Sequence, residues 1–127
     1  MSAALALLAA SVAAPDWASV GISATGLRIF IDRNSVRDVA GLRQVRVRLG
    51  SPRTIMRNIV EVRQDEEFDC TGNRWRLVGY EALDENDKVV ARSAPDHARG
   101  ALLTIDDKSI NGAVRDFICD PPPTPKL

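Results

Sequence analysis

The stretch IVEVRQDEEFDCTGNRWRLVGYEA, residues 59–82, decides the fold that the sequence predicts. Its first half alternates apolar with other side chains, which is the period of a β-strand. The connection at 71–73 holds a glycine and suits a hairpin turn, after which residues 74–82 return as the partner strand. Gln64 and Glu66 interrupt the apolar face, so we expect a bulge or a sheet edge there. The apolar positions of the first strand are Val60, Val62, Phe68 and Cys70.

The same period recurs on both sides of this hairpin. Residues 17–22, 27–31 and 44–49 read as strands before it, and residues 89–92 read as a short strand after it. The segment 32–35 is Asp-Arg-Asn-Ser, whose short polar side chains bond to nearby backbone amides, and we predict a turn there. The sequence therefore predicts an antiparallel β-sheet of about six strands.

One C-terminal segment has the period of a helix instead. Apolar residues at i, i+3, i+4 and i+7 form a stripe, and polar residues with Gly112 fall on the opposite side. Ser109 or Asp107 can cap this helix, while Gly112 inside it lowers helix stability. A helix this short is stable only when docked, so we expect an α+β fold with the helix on the sheet. The stripe consists of Ile110, Ala113, Val114 and Phe117.

The N-terminus resembles an export signal. Residues 3–10 are an unbroken run of Ala and Leu, followed by small residues of the kind that signal peptidase reads. No polar face recurs in the run, which disfavours an amphipathic helix, and it is too short to span a bilayer. We therefore predict a signal peptide or its remnant at 1–13, a single domain at 15–120 and a Pro-rich disordered tail at 121–127. The expected location is the periplasm, the cell surface or the medium.

The chain has two cysteines, Cys70 and Cys119. An even pair in an exported protein predicts a disulfide, whereas two buried free thiols are the alternative. The bond would close a loop of roughly 50 residues and would stabilise the fold by about 4 kcal/mol through loop-closure entropy. Neither cysteine is part of a C-x-x-C pair, so redox catalysis has no support.

Catalytic and metal-binding residue types are scarce. His97 is the single histidine and has no companion ligand, so we predict a solvated loop residue and no metal. Acidic clusters at 65–69 and 81–87 could supply paired carboxylates for glycoside hydrolysis, but the sequence lacks the aromatic residues of a sugar cleft. We interpret these acids as solubilising turns and strand rims. The predicted protein is not an enzyme and needs no cofactor.

The charged residues include a segment that is rich in arginine. The net charge is zero, which predicts no affinity for nucleic acid, but residues 27–63 hold nine Arg against three acids. Arg28, Arg46 and Arg48 project from strands and could bind an anionic partner such as a sulfated glycan, a lipid phosphate or an acidic protein. The alternative is a solvated sheet face whose arginines pair with the acids beyond residue 64.

Five short motifs, taken in order, resemble the surface-adhesin protein E family of exported proteobacterial proteins. The resemblance covers nearly all of the chain after the signal, and its Cys-centred part is the most specific. Leu102–Asp106 departs from the family, which usually has an aromatic residue before the last helix. The motifs are Asp16-Trp17, Phe30–Val36, Glu67-Phe68-Asp69-Cys70, Arg74-Trp75-Arg76 and Phe117-Ile118-Cys119.

The resemblance implies a curved antiparallel sheet with a helix tethered to its concave side by the disulfide. It also implies adhesion through host matrix proteins and a capacity to form a homodimer. The residues leave three functional hypotheses: an exported binding module, a structural or assembly component of the envelope, and a small hydrolase. The first is preferred on the family resemblance, and the hydrolase is disfavoured because the residues do not supply the groups of a catalytic pocket.

Overall fold

A computed structural model describes residues 14–51, 53, 55–94 and 100–119 of the chain. The predicted signal at 1–13, the tail at 121–127 and His97 lie outside these residues. Six antiparallel strands follow one another in space in the order of the sequence, and a seventh pairs with β5. The strands are β1 Trp17–Ile22, β2 Arg28–Val39, β3 Leu42–Gly50, β4 Glu61–Asp69, β5 Arg74–Leu83, β6 Val89–Arg92 and β7 Leu103–Thr104.

One helix, α1 at Ile110–Ile118, completes the structure and confirms the predicted α+β class. The hairpin of β4 and β5 stands where the sequence predicts it, and β4 is an internal strand. The bulge expected near Glu66 is present, because Asp65 faces Gly79 whereas Glu66 faces Leu77. Of the two alternatives that the sequence leaves at this point, a bulge or a sheet edge, the structure shows the bulge. Strand β7 was not predicted because two residues carry no detectable period.

The turn predicted at residues 32–35 is wrong, because the segment continues strand β2. Its polar side chains do bond locally: the Asp32 carboxylate accepts from the Asn34 amide at 3.0 Å, and Ser35 Oγ donates to the Asp32 carbonyl at 2.6 Å. Ser35 Oγ also accepts from the Arg46 amide at 2.8 Å, across to β3. These bonds stabilise an irregularity between Asp32 and Arg37, so the strand bends without reversing.

The hydrophobic core lies between the sheet and the helix. Alternate residues of β2 and β3 point to this side, as the period-2 pattern requires, and Val114 and Ile118 meet them from α1. Ala18 and Val20 of β1 pack against the same cluster. The sheet residues of the core are Ile29, Ile31, Val45, Val47, Leu49 and Phe68.

The helix buries only part of the predicted stripe: Val114 is fully buried and Ile110 packs against the core. Ser109 is the N-cap and accepts from the Gly112 amide at 3.1 Å, which decides between the two candidates for the cap. Gly112 is buried instead of exposed, and Phe117 is 41% exposed instead of buried. The reason is close packing at the N-terminal turn: a Cβ on Gly112 would lie 2.6 Å from the Asp106 carbonyl oxygen. The helix is therefore rotated about its axis so that Gly112 packs against the backbone of residues 106 and 107.

The predicted disulfide is confirmed. Cys70 and Cys119 are bonded with their Cα atoms 5.4 Å apart, which ties the end of β4 to the end of α1. Two arginines add to this attachment: Arg43 donates to the Ile118 carbonyl at 2.6 Å, and Arg115 donates to Asn73 Oδ1 at 2.6 Å. Within the described residues, no helix is long and apolar enough to cross a membrane.

Candidate binding surface: the helix-free face

The side of the sheet opposite α1 carries charged residues that alternate with the core. Because directly paired residues of antiparallel strands point to the same side, the register defines this surface, which we name the helix-free face. Every one of its cations is an arginine. Its charged members are Arg28, Arg37, Arg46, Arg48, Arg63, Arg74, Arg76 and Arg92, with Asp32, Glu61, Asp65, Glu67, Asp69 and Glu81.

Arg46, one of the three arginines predicted to bind, lies near the centre of this face. Its guanidinium is 3.8 Å from the Asp65 carboxylate and 3.4 Å from that of Glu81. Both contacts are long, and Arg46 Nε is buried with no hydrogen-bond partner in the described part of the chain. Burial raises the pKa of Asp65, Arg46 opposes that rise, and nearby Glu81 adds to it. Arg46 is thus paired with acids beyond residue 64, as expected if its face of the sheet is solvated and its arginines pair across strands.

Arg48 is held between aromatic rings. Its guanidinium carbon lies 4.7 Å from the centre of the Trp17 ring and 4.4 Å from that of Phe30, which are cation–π distances. It faces Arg63 directly across β3 and β4, and the Glu61 carboxylate lies between the two cations. Arg63 donates to Glu61 at 2.7 Å, and Arg48 is 3.6 Å away from the other oxygen. Glu61 therefore offsets the repulsion of two like charges placed opposite each other.

Arg28 differs from the other two because it is exposed and, among the described residues, makes no ion pair. It lies at the start of β2 and shares a shallow depression of about 320 Å³ with Arg48. Acids of the β5–β6 turn, Asp84, Glu85 and Asp87, also line this depression. The structure thus brings Arg28 and Arg48 together, whereas Arg46 lines two separate clefts further along the strands.

The two clefts beside Arg46 have different linings. One, of about 490 Å³, opens toward the bend in β2 and is lined by residues such as Asn34, Ser35 and Arg37. The other, of about 240 Å³, opens toward β6 and contains Arg63 and Arg92 as well as Arg46. The sequence interpretation missed Arg63 and Arg92. The alternation of side chains along β4 could have placed Arg63 on this face. Nothing local in the sequence places Arg92 beside it.

The acidic cluster at 65–69 is not the solubilising rim that we expected. Glu66 and Glu67 are fully buried, on opposite sides of β4. Glu67 pairs with Arg76 at 3.4 Å, whereas neither carboxylate oxygen of Glu66 has a hydrogen-bond partner among the described residues. Burial, together with the neighbouring Asp65 charge, raises the pKa of Glu66 to about 8.

Asp69, at the other end of the same cluster, organises the hairpin. Its carboxylate accepts from the Gly72 amide at 2.9 Å and from Arg74 at 2.9 Å, and these bonds lower the pKa of Asp69. Across the described residues, no three His, Cys, Asp or Glu side chains are placed to hold a metal ion. Asp69 therefore stabilises the hairpin, whereas Asp65 and Glu67 pair with arginines of the helix-free face.

These features define a class of protein: a disulfide-tethered α+β domain with a helix packed on one side of its sheet and an arginine-rich surface on the other side. The model of the family described as surface-adhesin protein E matches residues 17–120, and the chain belongs to that family. This membership associates the chain with a surface-adhesin role and with an exported or cell-surface location. No significant match was found among curated proteins or among solved structures.

Proposed function

We propose that this protein is a non-catalytic, exported binding module of the bacterial envelope, and that the helix-free face contacts its ligand. The observation that carries the proposal is the asymmetry of the sheet. Helix α1 and the disulfide close one side, whereas the described residues of the other side include eight arginines and six acids, of which Glu67 is fully buried. Such a surface can bind a protein or an anionic glycan or lipid ligand by charge-assisted hydrogen bonds.

The three predicted arginines have different parts in this proposal. Arg28 has no ion-pair partner in the described structure, so its guanidinium is available to a ligand. Arg46 and Arg48 are fixed by acids and aromatic rings, which reduces the conformational entropy lost when a ligand binds. Their pairs with acids also mean that the ligand has to compete with carboxylates already in place.

Export is part of the same proposal. A disulfide that ties the helix to the sheet forms and persists in oxidising compartments such as the periplasm. The predicted signal at residues 1–13 agrees with that environment. We infer a mature protein in the periplasm or at the cell surface.

An assembly role is the second candidate, and edge strand β1 favours it. Ile22 at the end of β1 is 70% exposed, and an edge strand can pair with a second chain. In that case the protein forms homodimers through β1, and Ile22→Glu shifts its sedimentation from dimer to monomer. A monomer at all concentrations would remove this candidate.

The binding proposal is tested with solubilised basement-membrane matrix as the immobilised probe. The mature domain should bind the matrix, and Arg28→Ala should weaken binding several-fold without changing the melting temperature, since surface substitutions rarely affect stability. Arg53→Ala is the matched control, because Arg53 is an exposed arginine in the β3–β4 connection. No binding of the mature domain to the matrix would contradict the proposal, and equal binding by the Arg28 variant and the wild type would contradict the part assigned to Arg28.

A further inference from the structure

The cleft between β3 and β6 brings together three guanidinium groups from three strands. Arg46 comes from β3, Arg63 from β4 and Arg92 from β6, and all three line the same depression of about 240 Å³. Gly79, which faces Asp65 across β4 and β5, lies in the same cleft and has no side chain to fill it. The sheet register, not sequence proximity, creates this cluster.

The cations of the cleft exceed its acids. Asp65 and Glu81 are its two carboxylates, and both are within ion-pair distance of Arg46. Arg63 is paired outside the cleft with Glu61. Arg92 is exposed and, within the described residues, makes no ion pair, so its donors are free to bind an incoming anion. Among the described lining residues three guanidinium groups stand against two carboxylates, and the cation without an ion pair there, Arg92, lies on the side of β6.

We propose that this cleft binds the sulfate groups of a sulfated polysaccharide, a ligand class that rests on the proposed binding function. Arginine presents its donors in a planar fork that matches oxyanions such as sulfate, which a lysine cannot do. The described residues that line the cleft include Tyr80, and none of them has an aliphatic side chain that could enter a lipid bilayer. The chemistry thus favours a hydrophilic polyanion.

The shape of the surface agrees with a linear polymer. Arg48, Arg63, Glu81 and Arg92 occupy one cross-strand row, in which each residue faces the next. Since neighbouring strands are about 4.8 Å apart, the row extends about 14 Å across the sheet. A chain lying along this row would meet a guanidinium on β3, β4 and β6, with Glu81 as the single interruption.

The test measures binding of the mature domain to immobilised heparin by interferometry at several salt concentrations. Arg92→Ala should weaken heparin binding roughly tenfold, because it removes charge-assisted hydrogen bonds. Arg92→Lys should restore only part of the loss, since it keeps the charge but not the fork. The melting temperature should not change, because Arg92 is exposed and makes no ion pair within the described residues.

Arg53→Ala is again the control, with the same change in net charge outside the cleft. Equal weakening by the Arg53 and Arg92 variants would reveal unspecific charge attraction and overturn the inference. So would equal binding of fully desulfated heparin, tighter binding of polyglutamate or of anionic phospholipid vesicles, or no heparin binding at all. If the domain binds basement-membrane matrix but not heparin, the sulfate site fails while the proposed binding function stands.

Discussion

Glu66 is an ionisable residue in a fully buried position. It lies in central strand β4 between Val45 of β3 and Leu77 of β5, fully buried, with both oxygens lacking partners in the described structure. An ionised carboxylate there would be very costly, so the acid keeps its proton and its pKa rises to about 8. Glu66 is therefore neutral at pH 7 in the folded protein but ionised in the unfolded chain.

The stability of the fold should accordingly decrease with increasing pH. A raised pKa means that the native state binds the proton more tightly, so the stabilisation is complete below the unfolded value of 4.5 and is lost as pH rises toward 8. Between pH 5 and 7.5 the free energy of unfolding should fall by about 3 kcal/mol from this group. Urea unfolding of wild type and Glu66→Gln across this range checks it, and parallel pH profiles would contradict it.

Gly112 is a second residue whose role depends on its neighbours. Alanine has the higher helix propensity, yet a Cβ at this position would lie 2.6 Å from the Asp106 carbonyl and 2.7 Å from that of Asp107. Gly112→Ala should therefore destabilise the protein by about 1–3 kcal/mol, as overpacking does. Asn111→Ala, one residue earlier, is the control and should be neutral or slightly stabilising. A thermally stabilised Gly112 variant would show that the loop moves aside.

At the scale of elements, the docking of α1 combines a covalent bond with polar contacts. The helix has nine residues, too few for stability on its own. Reduction, or Cys119→Ser, should therefore speed hydrogen exchange at the Val114 and Phe117 amides while the strands stay protected. Protection that survives reduction would mean that packing and the Arg43 bond to the Ile118 carbonyl suffice, and Arg43→Ala in the reduced protein would then identify that bond's contribution.

The β3–β4–β5 portion of the helix-free face gives an element-scale prediction about charge. Arg46→Glu combined with Arg48→Glu places new carboxylates beside Asp65, Glu81 and Glu61. Like charges in cross-strand positions repel, and Arg48 also loses its ring contacts, so we expect a lower melting temperature. Arg28→Ala, on the same face and without an ion pair among the described residues, should leave it unchanged. Equal melting of the double variant and the wild type would mean that these pairs contribute no stability.

Part of this element-level organisation is readable from the sequence, and part is not. The hairpin, the strand at 89–92 and the helix follow from local periods and turn residues, so they were predicted close to their observed positions. The turn at 32–35 was wrong because the bonds that Asp32 and Ser35 make are compatible with a bulge as well as with a reversal. Only the pairing of Ser35 with Arg46 on β3 selects the bulge.

At the scale of the whole molecule, export remains the prediction with the widest consequence. We expect the mature protein from a periplasmic fraction to begin near Ala14 or Pro15, because small residues at 11–13 suit signal peptidase. Its mass should also be two hydrogens below that of the reduced form, as the disulfide requires. N-terminal sequencing and mass spectrometry check both, and Met1 retained on cytoplasmic protein would contradict the export prediction.

The antiparallel sheet, the C-terminal helix and the cysteine pair could be predicted from the sequence, because a period of two, a period of 3.6 and an even cysteine count are local or countable properties. Three other features appear only in the tertiary structure. Glu66 is buried, and Gly112 packs against the backbone of residues 106 and 107. Arg46, Arg63 and Arg92 share a cleft. These features depend on which strands become neighbours and on the rotation of the helix about its axis. Residues 35 apart in sequence, such as Arg46 and Glu81, meet only after the strands pair.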